Sequence, residues 1–216
     1  MRVLITGGYG FLGSWIVKDL FAGGHSIFLY DIKQDAERLE VVLNKDIISQ
    51  TTFCEGNVTD QDRLIRTIRE HGITHIIHLA GLQVPTCRAN PVLGAQVNVM
   101  GTLAIFEAYK ECRNQVKRVV YASSAAVFGP PADYPEGPLS DEVRLSPSTN
   151  YGFYKICNEG NAKVYFLDHG MTSIGLRPWT VYGVGRDVVM TSEPTKAMKC
   201  MALHQPYHIT SGGFQD

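Results

Sequence analysis

The sequence predicts an α/β protein: a doubly wound parallel sheet followed by a small, incomplete C-terminal lobe. Three observations carry that expectation. Short, near-continuous apolar runs alternate with helix-like segments, the pattern of strands buried on both faces. A glycine-rich turn, Gly7-Gly8-Tyr9-Gly10-Phe11-Leu12-Gly13, joins the first apolar run to the first helix. The residues able to do chemistry fall at the carboxyl ends of predicted strands or on the helix that follows, where such a sheet binds ligands.

Val3 to Thr6 enters the glycine turn, and Leu12 to Phe21 is a helix closed by Gly23-Gly24. Ser26 to Tyr30 is a second strand ended by Asp31, and Thr52 to Cys54 a third. Asp60 caps a helix that stops near His71-Gly72. His75 to Ala80 is a fourth strand, and Pro91 starts a long helix reaching about Cys112. Val119 to Ala122, the helix from Tyr151 to Leu167 and the strand from Ser173 to Leu176 complete the alternation. Right-handed crossovers then give a Rossmann-type sheet. Gly129 to Asn150 holds five of the ten prolines and is expected to be a long structured loop of the kind that forms lids or binding loops. After Arg177 a helix over Pro194 to Leu203 is followed by a short strand and Ser211-Gly212-Gly213. Residues 1–178 are thus the expected nucleotide-binding and catalytic domain, and 179–216 the start of a substrate lobe that looks truncated.

A formal net charge of -1 removes any global attraction to nucleic acid or an anionic membrane. No apolar run approaches the roughly 18 residues that span a bilayer, and no signal-peptide pattern opens the chain. The five cysteines are scattered, without a CxxC pair, which fits reduced thiols in a cytoplasmic protein. No zinc-ligand spacing is present, and the odd separation of His75 and His78 in one strand points them to opposite faces, so no metal is expected.

The glycine turn lets the chain reverse tightly, lets backbone at Gly10 approach a pyrophosphate, and lets the helix pack closely at Gly13. The N–H groups at the helix start carry partial positive charge for phosphates. Asp31, at the end of the second strand, can accept hydrogen bonds from both ribose hydroxyls and repel a 2′-phosphate, favouring NAD over NADP; Lys33 nearby softens that rejection. Tyr151 and Lys155 sit four apart, on one face of a helix. A neighbouring ammonium and oxidised nicotinamide would favour the phenolate and bring tyrosine toward useful acid–base catalysis. Ser123-Ser124 supplies a hydroxyl for the substrate oxygen. Asn98 is a polar side chain in an apolar helix and must find partners, local backbone among them.

Together these residues resemble the short-chain dehydrogenase/reductase superfamily, in particular its extended branch of NAD-dependent epimerases and dehydratases. Thr6 to Gly13 looks like the branch's glycine motif, and His78-Leu79-Ala80-Gly81 its segment beside the cofactor. Asn98 in Val97-Asn98-Val99-Met100-Gly101-Thr102 matches the helix asparagine of the proton-relay tetrad. Ser123 to Gly129 resembles the catalytic-serine strand with Ser124 at the catalytic position, and Tyr151 and Lys155 fall on the catalytic tyrosine and lysine. Arg177-Pro178-Trp179-Thr180-Val181-Tyr182-Gly183 matches the segment leading to the substrate lobe. The resemblance implies a cofactor wall of Gly7, Gly10, Phe11, Leu12, Gly13, Asp31, Ile32, Asn57, Val58, Leu79, Ala80, Gly81, Tyr151, Lys155 and Pro178, with NAD as cofactor. It also implies that Asn98 bends its helix and holds a relay water.

There are departures. Asn57 stands where the family has an aspartate contacting the adenine amine, and its amide oxygen can accept the same bond. Thr180 replaces an asparagine near the substrate phosphates of sugar-nucleotide epimerases, which weighs against a UDP-sugar. Ala125-Ala126 after Ser124 weighs against dehydration. The expected activity is hydride transfer at a secondary alcohol of a sugar or nucleotide-sugar. Its alternatives are a sugar or sugar-acid dehydrogenase that releases NADH, and a non-catalytic NAD-binding sensor or scaffold. The helices starting near Pro91 and Tyr151 carry extra apolar residues (Leu103, Phe106, Tyr165, Phe166), and the family pairs these helices into a homodimer.

Overall fold

The structure, a computed structural model, describes residues 1–186, 188 and 190–209, with the side chain of Met190 left out. Six parallel strands form one sheet in the order β3-β2-β1-β4-β5-β6. They are β1 (Arg2–Thr6), β2 (Ser26–Asp31), β3 (Thr52–Glu55), β4 (His75–His78), β5 (Arg118–Ala122) and β6 (Ser173–Leu176). The order reverses between β1 and β4, and a ligand crevice opens at that switch point beyond the carboxyl ends.

The period-2 alternation of the strands produces two cores. Val3 and Ile5 with Ile27 and Leu29 face one side, packed under α1 (Phe11–Ala22) and α2 (Glu37–Val42). Leu4, Phe28, Ile76 and Val119 face the other, under α4 (Gln61–Glu70) and α7 (Gly101–Glu111). The remaining helices are α3 (Lys45–Ser49), α5 (Val84–Ala89), α6 (Pro91–Ala95), α8 (Asn150–His169) and α9 (Glu193–Ala202). Asp60 caps α4 by accepting from Arg63 N–H, and Asn90 and Thr149 do the same for α6 and α8.

Several expectations are corrected. The long helix from Pro91 is a single rod, but its middle turn, Gln96–Met100, is π-helical and Asn98 sits inside it. The fourth strand stops at His78 rather than Ala80, because the chain turns there to line the crevice. α2, α3 and α5 carry too few turns for a readable period; the fully buried Leu39 shows that packing, not propensity, holds α2. The strand expected after Leu203 is not formed through residue 209, and Ser211-Gly212-Gly213 lies outside the described residues. Phe106 is core, stacked on Tyr165 with ring centroids 5.2 Å apart, and offers nothing to a partner.

The 129–150 segment lines neither cavity described below. It braces the site from behind. Tyr134 Oη accepts from Gly129 N–H at 2.7 Å, and Pro147 presses on the first turn of α8. A Cβ at Gly152 would lie 2.2 Å from the Ala126 carbonyl oxygen and 2.6 Å from Pro147 Cβ, so only glycine lets α8 start this close to Ser124.

His78 is wholly buried and ties three elements together. Thr102 Oγ1 donates to the Asn98 carbonyl at 2.8 Å and so accepts from His78 Nε2–H at 3.0 Å, while Nδ1 accepts from Thr6 Oγ1 at 2.7 Å. Burial, and then the charge of Lys155, hold the ring neutral down to about pH 3, against 6.5 for an ordinary histidine. Its stabilising contribution is therefore complete above pH 6.5 and is lost as pH falls toward 3, at up to ~1.4 kcal/mol per pH unit. Urea titrations from pH 7 to 4 should show wild type losing stability faster than His78→Asn. Parallel curves would contradict this account.

Candidate active site

β1 delivers Gly7 at φ +68°, the left-handed region, with the Ala80 backbone so near that a Cβ would lie 2.8 Å from its nitrogen. Gly13 packs on the turn itself, since its Cβ would meet the Gly8 carbonyl oxygen at 2.4 Å. No side chain caps α1, so its first N–H groups face the crevice without a partner of their own helix. The crevice there is a cavity of about 640 Å³. Every cofactor-wall residue expected from the sequence lines it: Gly7, Gly10, Phe11, Leu12, Gly13, Asp31, Ile32, Asn57, Val58, Leu79, Ala80, Gly81, Tyr151, Lys155 and Pro178. Uncapped helix donors, a glycine cradle and a volume suited to a large ligand fit a dinucleotide.

Asp31 ends β2 on this cavity. Burial raises its pKa, while a bond from Ile32 N–H at 2.9 Å favours the charged form. Lys33 pairs with Asp35 at 2.8 Å on the exposed rim of the same cavity, and its charge also favours the ionised form of Asp31. Asn57 behaves differently from expectation. Its Oδ1 accepts from both Thr59 N–H (3.0 Å) and Thr59 Oγ1 (2.9 Å), which leaves its amide Nδ2 as the group free to meet an adenine.

A second cavity of about 480 Å³ adjoins the first and is lined by Ser124, Ala125, Ala126, Trp179, Thr180 and Val181 among others. Lys155 lines only the first cavity, Ser124 only the second, and Tyr151 both. Ser124 caps a short 3-10 turn by accepting from Ala126 N–H at 3.1 Å, and its hydroxyl is near enough to the Tyr151 phenol to favour the phenolate. Ser123 is engaged elsewhere. It donates to Glu159 at 2.5 Å, and Glu159 receives both Nε (2.9 Å) and Nη2 (2.7 Å) of Arg177. That pairing ties β5, α8 and β6 behind the site and leaves Ser124 as the serine open to a ligand. Glu159, one turn beyond Lys155 on α8, was within reach of helical spacing; Arg177 as its partner was not.

Asn98 commits its side chain to the protein. Nδ2 donates to the carbonyls of Leu82 and Gly94 at 3.1 Å and to Cys87 Sγ at 3.3 Å, and Oδ1 accepts from Leu82 N–H at 3.1 Å. Its carbonyl, freed by the π turn, accepts from Thr102 and from Asn158 Nδ2 at 2.9 Å. Asn98 thus positions the Gly81–Leu82 wall of the cavity.

The electrostatics differ from the expectation of a lysine-poised phenol. Lys155 Nζ reaches past the tyrosine, 5.4 Å from its ring centroid, and donates to the Ala122 carbonyl at 2.7 Å. Burial pulls its pKa down to about 8. The Tyr151 phenol is pushed up by burial, and what opposes this is the Ser124 hydrogen bond and the charge of Arg186. Helical spacing sets the shared face, but the length of the lysine carries its charge to the end of β5. Among the described residues, no group of three or more His, Cys, Asp or Glu is placed to hold a metal, and no helix is long and apolar enough to cross a membrane.

The sequence pattern of the NAD dependent epimerase/dehydratase family matches residues 3–211. The chain belongs to that family. Among similar proteins, the UDP-glucose 4-epimerase of Yersinia enterocolitica is 34% identical over 178 residues, 81% of this chain and 51% of the relative. That of Mycolicibacterium smegmatis is 32% identical over 191 residues, 87% of this chain and 58% of the relative. Of solved structures, the Thermus thermophilus UDP-glucose 4-epimerase complex with NAD superimposes with a TM-score of 0.74 at 28% identity, covering 96% of this chain and 64% of that one. The chain spans about half the length of the curated relatives it matches. As an epimerase/dehydratase-family protein it has the family's six-stranded nucleotide-binding sheet, and the family's cofactor is NAD.

Proposed function

We propose that this chain carries the NAD-binding and proton-transfer part of an enzyme acting on a secondary alcohol of a sugar or nucleotide-sugar. The observation supporting it is the position of Tyr151, the wall between the two cavities, with Lys155 on the cofactor side and Ser124 on the other. Gly10, Phe11, Leu12 and Gly13 would take the diphosphate at the start of α1, Asp31 the adenosine ribose, and Lys155 the second ribose. Bound there, NAD would supply the hydride acceptor and, in reverse, the donor. As the phenolate, which the positive charges of bound oxidised nicotinamide and of Arg186 would favour, Tyr151 takes the proton from the substrate hydroxyl while Ser124 holds the same oxygen through its own O–H. Tyr151 then either returns that proton, as isomerisation requires, or loses it to solvent, as net oxidation requires. Residues 179–209 begin the substrate wall, where Trp179 and Val181 give the second cavity an apolar side suited to a sugar face. The test is to incubate the protein and NAD with UDP-glucose, UDP-galactose, UDP-N-acetylglucosamine and free sugars, following nicotinamide absorbance and sugar interconversion by NMR. Bound NAD with neither signal from any sugar would favour the sensor or scaffold reading instead.

We also propose a homodimer through α6–α7 and α8. Phe153, Cys157, Gly160, Val164 and Leu167 are all exposed and recur at intervals of four and three along α8, beside exposed Val92 and Met100 on the neighbouring rod. Val164→Glu should convert a dimer to a monomer in light scattering. A wild-type protein that is monomeric at high concentration would rule the dimer out.

A further inference from the structure

A turn from the C-terminal segment lies across the start of α1. Trp15 Nε1 donates to the Val184 carbonyl at 3.0 Å, and a Cβ added at Gly185 would lie 3.7 Å from the Phe11 ring. On the other side, Thr195 of α9 accepts from Gly183 N–H at 3.0 Å. Arg186 N–H closes the turn on the Gly183 carbonyl at 3.0 Å. A turn held at both ends in this way fixes where Arg186 goes.

Its guanidinium carbon lies 5.5 Å from the centroid of the Phe11 ring, at the first residue of α1, and the side chain lines both cavities. One nitrogen, Nη2, donates to Thr191 Oγ1 at 2.5 Å. Nε is buried with no partner, and among the described residues no carboxylate pairs with the side chain. A half-buried cation with an unmet donor is unfavourable for the protein alone, and it calls for an anion. Arg38 lines the same cavity, and its charge acts with burial to lower the Arg186 pKa, so a second cation stands close by. The uncapped start of α1, Gly10 to Gly13, borders the same cavity.

We propose that Arg186 is a phosphate receptor that closes over the diphosphate of the dinucleotide, beside the start of α1. The glycine turn and helix donors hold the inner phosphate oxygens, and the arginine, carried by the Trp15-anchored turn, holds the outer ones. The C-terminal segment is thereby part of the cofactor site rather than of the substrate site alone. The inference rests on the dinucleotide site proposed above, and binding measurements separate the two.

The experiment titrates NAD and ADP-ribose, and then UDP onto NAD-loaded protein, by calorimetry with wild type, Arg186→Gln and Arg186→Lys. Arg186→Gln should weaken NAD and ADP-ribose alike, by about ten- to a hundredfold, the loss expected of a charge-assisted bond. Arg186→Lys should lose less, and UDP affinity should stay within a few fold. If Arg186→Gln does not fold, Trp15→Phe serves, since it loosens the turn but keeps the charge; several-fold weaker ADP-ribose binding is expected, and unchanged binding counts against the proposal. Wild type that fails to bind NAD would sink the functional reading itself. ADP-ribose affinity unchanged in Arg186→Gln, including a loss confined to UDP, would overturn only the assignment of Arg186.

Discussion

Tyr151→Phe should lower turnover by about 10²- to 10⁴-fold, the range for losing a positioned general acid–base, while NAD affinity changes by no more than a few fold. The phenyl ring keeps the wall between the cavities, and only the hydroxyl near Ser124 is removed. Without cofactor the folded protein should be nearly as stable, because there the phenol is neutral at ordinary pH and the nearby Ser124 hydroxyl is open to the second cavity. Ser124→Ala should show a smaller loss, since that hydroxyl shares the substrate oxygen without carrying the proton away. Steady-state rates with the best substrate of the panel, and a thermal melt of each variant, make the comparison. If Tyr151→Phe turns over at the wild-type rate, the proton leaves by another route and the assigned base is wrong.

Lys155→Met should make the protein without cofactor more stable and at the same time inactive. Only 6% of Lys155 is exposed, and its ammonium donates to the Ala122 carbonyl. Burial depresses its pKa from 10.5 to about 8, so at neutral pH the fold carries the penalty of a buried charge, ~3 kcal/mol at one pKa unit per 1.4 kcal/mol. Part of the gain is offset because the Ala122 carbonyl loses its donor, at ~1–2 kcal/mol. The net expectation is ~1–2 kcal/mol, or about 2–8 °C in melting temperature for a chain of this size. The sign in pH is distinctive. Between pH 8 and 10.5 the unfolded lysine holds its proton and the folded one has released it, so wild-type stability rises with pH there and the advantage of the variant shrinks. Turnover should fall by about 10²- to 10³-fold, as when one preorganised electrostatic contact is removed. A less stable variant, or a stable and fully active one, would contradict the role given to this ammonium.

Much of the cofactor side was legible in the sequence because its signals are local. A glycine turn between strand and helix, and an acid at the end of the next strand, need only their neighbours to be meaningful, and both line the cavity as expected. Tyr151 and Lys155 were legible because helical spacing is local too. The electrostatics between them were not, since the lysine charge ends on Ala122, 33 residues away in the chain. The Ser123–Glu159–Arg177 tie joins three elements, and nothing near any one of these residues announces the other two. Composition suggested a lid over 129–150, but proline and glycine content reports an ordered irregular chain, not which way it faces.

From its residues alone, the chain determined the strand and helix alternation, the glycine cradle and the types of group available for chemistry, because those follow from backbone preference and short-range periodicity. Only the tertiary structure decided which serine is free, which charge reaches the phenol, and that a turn near residue 186 closes over the start of α1. Those outcomes depend on distances between segments far apart in the chain, and a linear pattern does not encode where a long side chain ends once the sheet brings its neighbours together.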